Sequence, residues 1–324
     1  MLSRHFLRCK VLQELYACQM DERDELTALH SLDYHVEHLN ALGVLQVALM
    51  VKMLEVGEAV IEAGRHKFRP TDEEKTPNKK FLGNEFLRRM ADNFELKKLI
   101  EEHGGCWQTH EDLVREAFID FRRQKVYSDY LSFNEHDYQM DKDFAIMMFR
   151  YLMNREPLVA AMAERSLLWE DDFEQIAQYN FMMLKTLNEK EFDEAMPWPI
   201  MFDSRIGKDK DDMDFARQLL KETLRNREGC DGLIKARLQG WEFERVALMD
   251  VLLLNMALVE LMYCPTIPEK VTVDEYIELS KEFSSERSHL FVNGILEKMM
   301  LELRSQGRVK KSGRGLLGAG GEEV

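Results

Sequence analysis

The first sixteen residues bring together side chains that could bind single-stranded RNA. Positive charges are present with no acidic residue among the first ten positions. Selective binding of single-stranded RNA needs cations for the phosphates and planar groups that stack on bases or pair with their edges. The alternative is a basic first turn that is simply solvated. The candidate RNA-binding residues are Arg4, His5, Arg8, Lys10, Gln13 and Tyr16.

Other titratable clusters do not complete a catalytic or metal-binding pattern. His110 and Glu111 begin an HExxH motif, but Val114 occupies the position of the second histidine. The histidine-rich segment 30–38 lacks the Glu-x-x-His partners of a di-metal bundle, so we interpret it as a solvated cluster. A metal-dependent bundle enzyme based on that segment is an alternative that metal analysis would decide. We predict no enzymatic activity, no cofactor and no metal site.

Composition narrows the class of protein further. The net charge of −15 argues against a protein that coats nucleic acid nonspecifically, although residues 1–10 and 298–314 are locally basic. Five cysteines form no CxxC pair, which is typical of reduced thiols in a cytoplasmic protein. The N-terminus lacks the apolar region of a signal peptide, and polar residues interrupt both of the most apolar segments. We therefore expect a cytoplasmic protein without a membrane span.

Helix-forming residues dominate the chain, and the periodicity predicts an all-α fold. Ser3 can cap a first helix in which Leu7, Val11, Leu15 and Cys18 form one apolar face. Further helices are predicted at about residues 27–64, 82–102 and 111–125, with Thr109 capping the last of them. The Gly-rich segment 312–324 contains a GxGxxG pattern that follows no strand, so we predict a disordered tail.

Two segments of the chain resemble each other at a spacing of about 70 residues. Residues 143–145 and 214–216 both read Asp-Phe-Ala, and residues 154–156 and 226–228 both read Asn-Arg-Glu. Trp169 and Trp241 follow in the same order. We interpret these matches as a duplicated helical unit, with one copy at residues 143–190, and expect Trp169 to be placed as Trp241 is.

The stretch 268–298 predicts two helices joined by a turn. Pro268 precedes the first helix, and Thr272 with Glu275 fits a capping box. Ser284 and Ser285 are expected to end this helix and to cap the next one. A glycine inside a helix costs about 1 kcal/mol relative to alanine, so Gly294 predicts close approach of another backbone. Its neighbour Asn293 could then bridge to an adjacent helix.

The same stretch resembles the C-terminal signature of the NusB transcription antitermination factors. The order of residues in the first helix is also similar, because Leu12-Gln13-Glu14-Leu15-Tyr16 resembles the end of the family's arginine-rich helix. The similarity covers roughly the first 20 and the last 110 residues. Within the signature the matching residues are Pro268, Val271, Glu275, Glu278, Lys281, Ser288, Phe291, Asn293, Gly294 and Lys298.

The resemblance implies an all-α fold of paired three-helix bundles, with a large helical insertion that contains the duplicated unit. Residues 1–20 and 206–306 would form the family's core, residues 21–205 the insertion, and residues 307–324 a basic, Gly-rich, disordered tail. The implied function is transcription antitermination of ribosomal RNA operons. The alternative is a helical protein–protein adaptor with weak or no RNA binding.

The resemblance also implies partners and the residues that would face them. The RNA would be a boxA-type single-stranded leader, bound together with NusE, a small-subunit ribosomal protein, in a complex with RNA polymerase. Phe291 and Ser288 join the residues of the first helix on the RNA-facing side. The residues implied to face the protein partner are Asp250, Glu275, Arg287 and Phe291.

Overall fold

The structure, a computed structural model, describes residues 2–133, 137–166, 169, 171–190, 192–193, 195–238 and 242–316. All regular structure in these residues is helical, which confirms the predicted all-α class. None of the described helices is both long enough and apolar enough to cross a membrane. Backbone contacts divide the chain into unit 1 (Met1–Val36 with Phe202–Val324) and unit 2 (Glu37–Met201).

Unit 1 is built from the two ends of the chain. Its helices are α1 (Arg4–Asp21), the beginning of α2 (Glu25–Arg65), α12 (Gly207–Lys235), α13 (Leu248–Tyr263), α14 (Glu269–Phe283) and α15 (Ser288–Ser305). Helix α13 is apolar on all sides and buried from Asp250 to Leu261. It contacts α1, α12, α14 and α15, so it is the central helix of the unit.

In its described residues, unit 2 contains the rest of α2 and nine further α-helices around an aromatic core. These are α3 (Asp72–Lys75), α4 (Glu85–Asp92), α5 (Phe94–His103), α6 (Cys106–Thr109), α7 (Glu111–Phe121), α8 (Lys125–Ser132), α9 (Tyr138–Met153), α10 (Glu156–Ala163) and α11 (Phe173–Thr186). In the core, Phe144 lies against Phe81 and Phe121 and stacks on Tyr130, with 3.9 Å between the ring centroids. An open, mostly apolar groove of about 910 Å³ lies between α9, α10 and α11.

The predicted helices exist, but several of their ends differ from the predictions. Ser3 caps α1 as predicted, accepting a hydrogen bond of 3.1 Å from the Phe6 amide. The helix predicted at residues 82–102 is divided at Asn93, which is extended and whose side chain caps α5. The predicted cap of α7 by Thr109 is wrong, because Thr109 ends α6 and His110 precedes α7.

The repeat does not carry the same helix ends in its two copies. Asn154 ends α9, whereas Asn226 lies inside the uninterrupted helix α12. Trp169 is buried, but Trp241 lies outside the described residues, as do residues 317–324 of the predicted tail. Of that tail, Ser312 donates its amide to the carbonyl of Pro265 at 2.9 Å, and residues Gly313–Leu316 form a short 3₁₀ helix.

Four predictions for the stretch 268–298 are wrong. Helix α14 begins at Glu269 after Pro268, so Thr272 lies inside the helix and does not cap it. Helix α15 begins at Ser288 with Arg287 before it, so Ser285 is not its cap. A Cβ added at Gly294 would meet no described atom within 4 Å, so no backbone approaches closely there. Asn293 bonds to Glu297 of its own helix at 3.2 Å.

The turn between α14 and α15 is held by Asp250 in the first turn of α13. Ser284, which ends α14 as predicted, donates its hydroxyl to one carboxylate oxygen at 2.7 Å. Ser288 donates to the other at 3.0 Å. Asp250 and Ser288 are both buried, so water does not compete for the hydrogen bond between them. The position of α15 on α13 therefore depends on one carboxylate.

We predict that Asp250→Ala lowers the free energy of unfolding by about 1–3 kcal/mol, because it removes the acceptor of the buried Ser288 hydroxyl and of the half-buried Ser284 hydroxyl. Urea denaturation followed by circular dichroism would measure the change. Asp274→Ala, at an exposed position of α14, is the control and should change the value by less than about 0.5 kcal/mol. Equal effects of the two variants would contradict this role of Asp250.

Candidate nucleic-acid interface

Helix α1 is more deeply buried than a surface helix that binds RNA along its length. The predicted apolar face of Leu7, Val11, Leu15 and Cys18 is buried, as expected. However, every residue from position 6 to position 12 is buried, including Arg8, Cys9 and Lys10. The accessible part of α1 is therefore limited to its first turn and its second half.

Arg8 is an internal ion-pair partner rather than a surface cation. The residue is 1% exposed, and its Nε and Nη2 atoms donate to the two carboxylate oxygens of Glu260 at 2.8 and 2.7 Å. Thr272 and Tyr276 donate their hydroxyls to the same carboxylate at 2.9 and 3.1 Å. This position contradicts the expectation that Arg8 contacts RNA directly.

The electrostatics of this pair follow from its burial and its geometry. Burial disfavours the charge of Arg8, but the adjacent Glu260 and its hydrogen bonds outweigh this effect and raise the pKa of the guanidinium. Burial, together with the charge of Glu260, also raises the pKa of the Tyr276 hydroxyl well above its ordinary value. The guanidinium of Arg8 and the hydroxyl of Tyr276 therefore keep their protons, and Glu260 accepts hydrogen bonds from α1 and α14 together.

Arg4 lies at the edge of the same arrangement and keeps access to solvent. Its Nε donates to the buried carboxylate of Asp212 at 2.7 Å, and its side chain is 37% exposed. The guanidinium groups of Arg4 and Arg8 lie 5.0 and 5.1 Å from the ring centroid of Phe215, within the range of cation–π attraction. Arg4 could contact a phosphate only while sharing its charge with Asp212.

His5 is held between two carboxylates of α14. Its Nδ1 lies 2.8 Å from Glu275, and its Nε2 lies 3.2 Å from Glu282. Hydrogen bonds to Cys9 and Glu275 raise the pKa of His5 to about 10, against the opposing effect of burial. Glu275 also lies 3.4 Å from Nη1 of Arg8, so this implied partner residue is engaged with α1 inside unit 1.

The remaining candidates on α1 differ in exposure. Lys10 is buried, and its Nζ donates to Oε1 of Gln13 at 2.9 Å. Tyr16 is 41% exposed. Because an α-helix rises about 1.5 Å per residue, Tyr16 lies about 18 Å along the axis from Arg4. The accessible candidates on α1 are therefore divided between its two ends.

On the last two helices, the structure separates buried supports from accessible side chains. Ser288 and Asp250 are buried and bonded to each other, so neither presents a free surface to RNA or to a protein partner. Phe291 is half-buried and Arg287 is exposed. Among the candidates from Asp250 to Phe291, only Arg287 and Phe291 are therefore accessible to a partner without an internal carboxylate bond in the way.

Sequence reasoning missed the acidic residues that pair with the basic end of α1. In the sequence, Glu260 is one of the polar residues that interrupt the apolar segment 246–263, and Asp212 lies in a short run of charged residues. An isolated acid inside the otherwise apolar helix α13 was nevertheless a usable signal, because a buried carboxylate requires a cation or hydrogen-bond donors. No local sequence pattern identifies Arg8 as the partner of Glu260, because the two residues are 252 positions apart.

Comparison with known proteins places the chain in a family. The NusB family model matches residues 173–301, a range that includes α12, α13 and α14 but not α1. No solved structure matches the chain.

Three curated relatives carry the name transcription antitermination protein NusB, which denotes a non-enzymatic role. The protein of Salinibacter ruber is 43% identical over 35% of this chain and 71% of its own length. That of Chloroherpeton thalassium is 36% identical over 32% of this chain and 49% of its own length. That of Clostridium botulinum is 35% identical over 36% of this chain and 88% of its own length. The chain therefore belongs to the NusB family.

Proposed function

We propose that this protein is a transcription antitermination factor that binds boxA-type single-stranded RNA together with NusE. The observation that carries the proposal is its similarity to proteins named as antitermination factors, which reaches 43% identity. The proposal includes a cytoplasmic location and membership in the RNA polymerase antitermination complex, as the family resemblance implies.

In this proposal the RNA contacts the accessible ends of α1. Arg4 supplies a phosphate contact, and Tyr16 supplies a ring on which a base stacks. His5, Gln13 and Phe291 are half-buried and would contribute base edges or partial stacking. Arg8 and Ser288 serve as internal supports, and the buried amine of Lys10 positions Gln13.

The proposed protein partner contacts the exposed side of α14 and α15. Arg287 is exposed, and Leu290 in the first turn of α15 is 66% exposed, so a partner can contact both side chains. Phe291 follows Leu290 in sequence and would extend the contact toward the RNA. Asp250 and Glu275 would support this surface indirectly. Asp250 fixes the start of α15, and Glu275 fixes the first turn of α1.

Binding of RNA by this chain alone should be weak. The guanidinium of Arg4 is already paired with Asp212, so a phosphate has to compete with a carboxylate 2.7 Å away. The net charge of −15 adds a repulsive background to the approach of RNA. A protein partner that adds contacts would raise the affinity of the complex.

A helical protein–protein adaptor is the second candidate function. Pairing of both Arg4 and Arg8 with buried acids favours it, because these charges already have partners within the fold. The exposed leucines of α15, Leu290 and Leu301, favour it as well. In this case the protein partner would bind and the RNA preference would be absent.

Titration of fluorescent boxA-type RNA, with and without NusE and against a scrambled RNA, tests the proposal. We expect sequence-dependent binding that is tighter with NusE. Arg4→Ala should lessen the log–log salt dependence of binding by about 0.7, the contribution of one phosphate contact. Tyr16→Ala should leave the salt dependence unchanged and weaken binding by about 1–3 kcal/mol, the contribution of one stacked base.

Two exposed residues that are not assigned to the proposed surface provide matched controls. Arg245→Ala removes an exposed arginine, and Tyr34→Ala removes an exposed tyrosine. Neither should change the affinity for boxA-type RNA. Binding of NusE with no preference between boxA-type and scrambled RNA would support the adaptor function instead. Equal losses in the test variants and their controls would contradict the assignment of the surface.

A further inference from the structure

Three metal-ligating side chains meet where α1 packs on α14. His5 and Cys9 are four residues apart on α1, so they lie one turn apart on the same side of the helix. Glu282 reaches them from α14. One ligand atom from each, a His5 ring nitrogen, the Cys9 Sγ and a Glu282 carboxylate oxygen, lies within 4.8 Å of the others.

We propose that His5, Cys9 and Glu282 form a Zn²⁺ site. Imidazole nitrogen, thiolate sulfur and carboxylate oxygen are the three donor types that zinc accepts in proteins, at about 2.0–2.3 Å. Bonds of that length in a tetrahedron place neighbouring ligand atoms about 3.3–3.7 Å apart. The His5 Nε2 to Glu282 Oε1 distance is already 3.2 Å. A water molecule would complete the four ligands.

Glu275 supplies the outer partner that a histidine ligand needs. Its carboxylate lies 2.8 Å from Nδ1 of His5, which leaves Nε2 directed toward Glu282 and available to a cation. A carboxylate on the second ring nitrogen is the usual support of a zinc-bound histidine, because it fixes the ring and raises its basicity. The site therefore has its supporting residue as well as its three ligands.

The surroundings suit a cation and give it a route in. Cys9 is buried, whereas the Glu282 side chain is 48% exposed, so a metal ion would enter from the Glu282 side. The carboxylates of Glu275 and Glu282 both lie beside the ring of His5, so the site has acidic groups that favour a cation. Binding of Zn²⁺ requires a neutral imidazole and a thiolate, so it would release protons to solvent.

This inference goes beyond the proposed function, and its test does not use RNA. The full-length protein, stripped with a chelator and kept reduced, is titrated with Co²⁺ and then with Zn²⁺ at about pH 8. We expect one equivalent of Co²⁺ to produce a near-ultraviolet thiolate-to-cobalt charge-transfer band and the strong visible bands of a tetrahedral site. Zn²⁺ should abolish both sets of bands.

Matched variants assign the ligands. Cys9→Ser should eliminate the charge-transfer band, whereas Cys18→Ser, which changes a second buried cysteine of α1, should retain it. Glu282→Gln should weaken Co²⁺ binding, whereas Glu278→Gln, one turn away on α14, should not. Glu275→Gln should keep the stoichiometry of one and weaken the affinity by about 10–100-fold, as expected for an outer-shell carboxylate.

The exposed position of Glu282 keeps the test independent of folding, because Glu282→Gln should leave the circular dichroism spectrum unchanged. The absence of a charge-transfer band in the unmodified protein would overturn the proposal. So would a band that persists in Cys9→Ser, or equal affinities of Glu282→Gln and Glu278→Gln for Co²⁺.

Discussion

Glu260 holds a buried negative charge at the centre of unit 1, and the arrangement of the surrounding helices depends on how that charge is satisfied. Two donors come from the guanidinium of Arg8, and two hydroxyls come from Thr272 and Tyr276. A carboxylate taken out of water costs several kcal/mol unless such partners surround it. Helices α1 and α14 must therefore both be in place on α13 for the charge to be tolerated.

This constraint joins parts of the chain that are far apart in sequence. Arg8 and Glu260 are separated by 252 positions, and the planar guanidinium fixes their relative orientation through two parallel hydrogen bonds. Once Arg8 is fixed, the flanking residues Arg4 and His5 reach Asp212 and the carboxylates of α14. The basic residues at the start of α1 therefore have different roles, because Arg8 is an internal support and Arg4 remains accessible to solvent. The proposed RNA surface and the proposed zinc site both include residues of α1 that lie beside this pair.

Local sequence was sufficient to predict the helices and the inward face of α1, because periodicity and Ser3 capping act within a few residues. It was not sufficient to separate Arg8 from Arg4, since both lie on one flank of the helix and only the long-range partner distinguishes them. Local sequence did not predict the break at Asn93 or the start of α14 at Glu269. Each depends on the backbone conformation of a single residue, Asn93 or Pro268, and the apolar periodicity fits a helix with or without that break. The boundary between the units after Val36 falls inside α2, where neither a turn nor a proline marks it.

A double-mutant cycle on Arg8 and Glu260 tests the central claim most directly. We would measure the free energy of unfolding of Arg8→Met, Glu260→Met and the double variant. We expect a loss of about 3–5 kcal/mol for each single variant, because each leaves one buried charge without its partner. The double variant should lose much less than the sum of the two. Losses below about 1 kcal/mol that simply add, as for an exposed pair, would contradict a structural role of the buried pair.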